Sequence, residues 1–131
     1  TGVEALVEAT LEEVINIGGA AQTIFSSFDE TAVELVKTAQ PGFYSALISQ
    51  NPDAAFVERA IELNHDAIHP FFSVSEDVVQ MALDAGLQVN VWTVNTADLM
   101  QEQIDKGATA IITDAPDVLA EVLNEQPPPF E

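Results

Sequence analysis

The sequence predicts an α/β fold on a parallel sheet, and three observations carry that expectation. Short apolar segments alternate with longer segments of helical periodicity along the whole chain. Gly or Pro stands at the switches, as at Gly18-Gly19, Pro41-Gly42, Gly86 and Gly107. The third is one well-marked unit. Val89 to Asn95 reads as an apolar strand ending in Trp92 and small polar residues. Ala97 to Lys106 reads as a helix stopped by Gly107, and Ala110 to Asp114 as a second apolar strand before Pro116. Polar residues at the carboxyl ends of parallel strands stand where such folds build ligand sites.

The other elements repeat this grammar. From Gly2 to Ile17, the apolar residues Val3, Leu6, Val7, Leu11, Val14 and Ile15 recur at helical spacing. Gln22 to Phe25 reads as a short strand running into Ser26-Ser27-Phe28-Asp29. Asp29 and Glu30 suit the positive end of a helix over Thr31 to Ala39. Phe43 to Ile48 is strand-like, and Asn51-Pro52-Asp53 opens a helix from Ala54 to Leu63. Asp66 to Pro70 is a minimal strand stopped by its Pro. Ser75-Glu76-Asp77 reads as the N-cap region of a helix that ends at Gly86. Pro116 and Asp117 start a last helix through Leu123. Residues 1–125 form one domain, and 126–131, with three prolines, form a tail or linker.

At 131 residues and 47% hydrophobic content, the chain is long enough to bury a core and too apolar to be disordered. No apolar run approaches the roughly 20 residues of a membrane span. The acidic first residues do not resemble a signal peptide, and the missing initiator Met points to a piece of a longer chain. A cytoplasmic location is the expectation. With no Cys, thiolate and disulfide chemistry are excluded. Twenty-two acidic residues stand against Lys37, Arg59 and Lys106, for a formal net charge of -19. The acids are dispersed along helices, which makes an acidic surface and points to a high-salt organism. Three cations cannot neutralise a phosphate track, which argues against nucleic acid as a partner.

Among residues that could carry chemistry, Trp92 is either a pocket wall or a cap on the sheet core. Phe28 is core or pocket wall, and Thr93 and Asn95 are turn residues or site residues. Asp114 is a ligand, an acid/base or, most commonly at such places, the N-cap of the Pro116 helix. His65, Asp66 and His69 resemble a metal cluster on paper. Four residues along a strand separate the two histidines by about 13 Å, at ~3.3 Å per residue, which argues against joint ligation of one zinc. No Gly-rich phosphate loop and no Ser nucleophile elbow is present.

Ser26-Ser27-Phe28-Asp29, Ala67-Ile68-His69-Pro70, Val89-Asn90-Val91-Trp92-Thr93-Val94-Asn95 and Ile111-Ile112-Thr113-Asp114-Ala115-Pro116-Asp117 together resemble the glycerophosphodiester phosphodiesterase family. Their order and spacing match the C-terminal half of that family's (β/α)8 TIM-type barrel along nearly the whole chain. The resemblance implies hydrolysis of glycerophosphodiesters to an alcohol and glycerol 3-phosphate. It also implies a divalent cation, Mg or Ca, held by carboxylates, with a pair of histidines as general acid and base. The family's catalytic and metal blocks belong upstream of the matched part. No catalytic and no metal-ligating residue is therefore carried over to this chain. What the resemblance does transfer is a glycerol-facing wall of Phe28, Trp92 and Asn95, with His69 and Asp114 as polar contributors on the same rim.

Five parallel strands from a barrel cannot close, so two sheet edges and an apolar inner face are expected to stand open. The N-terminal half of the barrel, or a second copy of the chain, is the expected partner. The rival reading is a non-catalytic half-barrel binding or assembly module, and a freestanding flavodoxin-like fold is a third.

Overall fold

The structure, a computed structural model, describes residues 2–126. It contains helix α1 (Gly2–Asn16), strand β1 (Ile24–Ser27), α2 (Glu30–Ala39), β2 (Tyr44–Ser49), α3 (Ala54–Glu62) and β3 (Ala67–Pro70). Then come α4 (Glu76–Asp84), β4 (Gln88–Val91), α5 (Ala97–Lys106), β5 (Ala110–Ile111) and α6 (Pro116–Asn124). Of the expected Pro-rich tail only Gln126 is described, and its amide is bonded to Gln101 of α5 at 2.7 Å. The five strands pair in chain order, β1-β2-β3-β4-β5, all parallel. Each new strand therefore lies beside the one before it, joined by a helix, the crossover that a parallel pair requires.

The strand-to-helix turns are set by short polar side chains. Asp29, Asp53, Ser75 and Thr96 are the N-caps of α2 to α5, each accepting from a backbone N–H of its helix's first turn. The sixth helix differs. Its N-cap position is Ala115, which makes no side-chain cap, and Pro116 stands at its first turn. Asp114 is thus not the N-cap, because its carboxylate is engaged by Asn95 instead. Gly107 closes α5 at φ 96°, a left-handed backbone that favours glycine.

Three strand boundaries depart from the sequence expectation. Gln22 belongs to a 3-10 turn, Ala20–Gln22, and β1 starts at Ile24 and takes in Ser26 and Ser27. The hydroxyl of Thr23 donates to the Gly19 carbonyl at 2.7 Å and holds the turn out of the sheet. β4 ends at Val91 rather than Asn95, and β5 pairs over two residues only, Ala110 and Ile111.

The register sorts side chains to two faces. Ser27, Leu47, Ile68 and Val89 share a row. Leu47, Ile68 and Val89 are buried under the helices, in a core with Phe56, Val57, Val79, Met100 and Val122. A smaller core of Val7, Leu11, Phe25 and Val36 seats α1 against α2. The opposite face carries no helix. Its rows are Ser26, Ala46, Ala67 and Gln88, then Ile48, His69, Asn90 and Ala110. The expectation of an apolar inner face is therefore corrected: the face is mixed. Small Ala residues leave room for Tyr44 to donate across to Gln88, and His69 meets Asn90. Among the described residues, large apolar side chains stand exposed towards its edges, at Ile24, Phe28 and Ile112.

Candidate functional site

The rim at the carboxyl ends of β1, β3 and β4 carries an aromatic cluster. Trp92 follows β4 directly and pairs with Phe71 across an isolated bridge. Its backbone N–H bonds the Pro70 carbonyl at 3.1 Å, and its carbonyl accepts from Phe72 at 3.0 Å. The indole N–H donates to the His69 carbonyl at 2.8 Å. Phe28 meets the indole edge-on, with ring centroids 5.7 Å apart, and Phe71 lies at 5.0 Å. Each such pair contributes about 0.5–1.5 kcal/mol beyond its buried area. Trp92 is half-buried, while Phe28 is 62% exposed. The cluster is pinned at its base and open on one side, as a wall for a ligand must be.

Below it, His69 is 7% exposed and Asn90 5%. His69 Nε2 lies 3.1 Å from Asn90 Nδ2. With the amide donating, Nε2 is the lone-pair nitrogen and the ring proton sits on Nδ1. Burial pushes the His69 pKa below the ordinary histidine value, so the ring is neutral near pH 7. Asn90 Oδ1 is buried without a hydrogen-bond partner, a condition that costs ~1–3 kcal/mol.

A second polar group ties two loops of the same rim. The Asn95 Oδ1 accepts from Thr113 Oγ1 at 3.1 Å and from the Asp114 backbone N–H at 2.9 Å. Its Nδ2 donates to Asp114 Oδ2 at 3.0 Å. Asn95 is thus a clasp between the β4–α5 and β5–α6 loops, and Asp114 is its partner. The structure brings Phe28, Trp92 and His69 into one chain of contacts, and Asn95 and Asp114 into another. Sequence reasoning singled out neither Phe71 nor Asn90. The signal for Asn90 was a polar residue between two valines of a buried strand.

His65 is elsewhere. It lies before β3, at the opposite end from the rim, with Nδ1 2.8 Å from Ser45 Oγ. The neighbouring Asp66 takes Lys37 Nζ at 2.6 Å and the Ser45 backbone N–H at 2.9 Å. His65 and His69 therefore serve separate networks. Among the described residues, no three His, Cys, Asp or Glu side chains group to hold a metal ion. The residues described do not form a cage for the cation that the resemblance implies. The basic side chains are all engaged. Lys37 pairs with Asp66, Arg59 with Glu30 and Glu62, and Lys106 with Glu102 while also donating to the Phe72 carbonyl at 3.3 Å, beside Phe71. What these rim residues can do is bind, through the aromatic faces of Phe28 and Trp92, the neutral groups of His69 and Asn95 and the carboxylate of Asp114.

Comparison with known proteins points to one family. Residues 2–118 match the sequence model of the glycerophosphoryl diester phosphodiesterase family. A curated glycerophosphodiester phosphodiesterase of Caldanaerobacter subterraneus subsp. tengcongensis is 26% identical over 124 residues, which are 94% of this chain and 48% of the relative. A candidate glycerophosphoryl diester phosphodiesterase from Silicibacter pomeroyi DSS-3 superposes with a TM-score of 0.88 at 23% identity, over 94% of this chain and 45% of that one. A phosphodiesterase of Oleispira antarctica, solved with its product sn-glycerol-3-phosphate, gives 0.72 at 23% identity over 78% and 42%. The chain spans about half the length of the relatives it matches, and its sheet is the C-terminal half of their TIM-type barrel. With the family model covering nearly every described residue, this chain belongs to the glycerophosphoryl diester phosphodiesterase family.

Proposed function

We propose that this chain forms the substrate-binding wall of a barrel that hydrolyses glycerophosphodiesters to an alcohol and glycerol 3-phosphate. The observation that carries the reading is the contact chain Phe28–Trp92–His69 at the carboxyl ends of the strands, where barrels of this type work. Phe28 and Trp92 offer apolar faces to the carbon skeleton of the glycerol moiety. His69, Asn95 and Asp114 supply polar groups on the same rim. On this reading the divalent cation, Mg or Ca, and the acid/base histidines belong to the complementing part of the barrel, where the resemblance places the family's catalytic and metal blocks.

Strand arithmetic supports a particular complement. An eight-stranded barrel less five strands leaves three, whereas a second copy would bring five more. The open edges are also shaped to receive such strands and their helices. An apolar cleft of about 170 Å³ beside β1 is lined by Leu6, Val7, Phe25, Val33 and Val36. Another of about 310 Å³ beside β5 is lined by Ile104, Ala108, Ile111, Leu119 and Leu123. The acid-rich composition supports a high-salt setting.

The test joins this chain to an N-terminal half of a family barrel and measures glycerol 3-phosphate released from glycerophosphocholine with Mg²⁺ or Ca²⁺. Release that falls on replacing Trp92 supports the reading. A folded, complete barrel that binds the diester and releases nothing would move the assignment to a binding module, which no present observation favours.

A further inference from the structure

We infer that Asn90 is a positioning residue of the rim: its amide fixes the ring of His69, and the main chain of His69 in turn carries the indole of Trp92. This rests on reading the rim as the substrate wall. Packing does not account for an Asn at this position. Its neighbours Val89 and Val91 are fully buried on the helix side, and Asn is among the residues that pleated strands disfavour. Its amide meets His69 Nε2 at 3.1 Å, while Oδ1 is buried without a partner. Were the amide turned over, Oδ1 would accept a hydrogen bond from His69 Nε2–H and Nδ2 would be the orphan. In either orientation one polar atom of Asn90 goes unsatisfied, whereas Leu would remove that orphan and leave His69 Nε2 without its partner.

What the amide provides and Leu cannot is a fixed imidazole. The register neighbours of His69 are Ile48 on β2 and Asn90 on β4, neither of them charged. Burial alone lowers its pKa, so the neutral ring always has one nitrogen able to pair with the amide. The constraint then passes through one residue. The His69 carbonyl accepts the Trp92 indole N–H at 2.8 Å, and the indole sets the rings of Phe28 and Phe71 around it.

Trp92 is the single Trp of the chain, so intrinsic fluorescence of the full chain reads the indole alone. Replacing Asn90→Leu is expected to shift Trp92 emission to longer wavelength and make it easier to quench with acrylamide. In the complemented barrel the same change is expected to raise KM about tenfold with kcat within about twofold, the pattern of a lost binding contact. Asn90→Asp covers the case in which the Leu variant fails to fold. A carboxylate against the imidazole favours its protonated form, so Trp92 emission in N90D should titrate at higher pH than any change in the wild type, where burial holds His69 below the ordinary value. Wild-type emission and quenching in N90L, or a flat profile in folded N90D, overturns the inference. A loosened indole in a barrel that hydrolyses nothing supports the positioning role and fails the substrate reading, so the two are separable.

Discussion

Trp92 combines two physical roles that separate substitutions can pull apart. Its ring is a contact surface for Phe28 and Phe71, and its N–H satisfies the His69 carbonyl. W92F keeps most of the surface and loses the donor, while W92A loses both. We predict that W92A raises KM for a glycerophosphodiester by about tenfold and W92F by about fivefold, since one such bond contributes ~1 kcal/mol. Steady-state kinetics on the complemented barrel checks the order. His65 makes a pH prediction. Burial first, then the charge of Lys37, hold its pKa below the ordinary value of 6.5. Between the native value and 6.5 the unfolded chain binds more protons than the native one. Stability is thus fully present above pH 6.5 and is lost as pH falls towards the native value. The urea midpoint should drop from pH 7.5 to pH 5.5, and by less in H65Q. Trp92, His69 and Phe28 were legible in the sequence because they sit in or beside short motifs. Phe71 was not, because it lies past the end of β3 and meets Trp92 only across an isolated bridge. Asn90 stands out in the alternating Gln88-Val89-Asn90-Val91, but its partner His69 is set by the neighbouring strand, which local sequence does not show.

The helices were more legible than the strands, for a local reason. A helix start is written in one side chain, and Asp29, Asp53, Ser75 and Thr96 each occupy the cap the structure uses. Strand ends depend on what lies alongside. Ala110 to Asp114 reads as a five-residue strand, but the ladder with β4 covers Ala110 and Ile111, Ile112 adds backbone bonds to Val91 and Val94, and Thr113 and Asp114 are held by Asn95 instead. Two element-scale predictions follow from cap geometry. S75A and T96A should each cost about 1 kcal/mol of unfolding free energy. G107A should cost about 1–2 kcal/mol, because it places a side chain at φ 96° with its Cβ 3.4 Å from Leu83 Cδ1. Denaturant unfolding of each variant measures both.

The molecule as a whole is governed by a charge of -19 and a sheet with two free edges. The Debye length falls from ~10 Å at 0.1 M salt to ~3 Å at 1 M, so self-repulsion among dispersed carboxylates is mostly screened in strong brine. The urea midpoint should therefore rise steadily with KCl up to ~1 M, and a midpoint that falls would contradict the high-salt reading. Among the described residues no helix is long and apolar enough to cross a membrane. The half-barrel was legible in the sequence because alternation and spacing are properties of the entire chain and survive local misreadings such as the start of β1. The in-order pairing of the strands has one more consequence. A ribosome releases this chain from the amino end, and each strand finds its neighbour already made, with one helix between them. The sheet can thus be laid down unit by unit during synthesis, without waiting for a distant segment to appear.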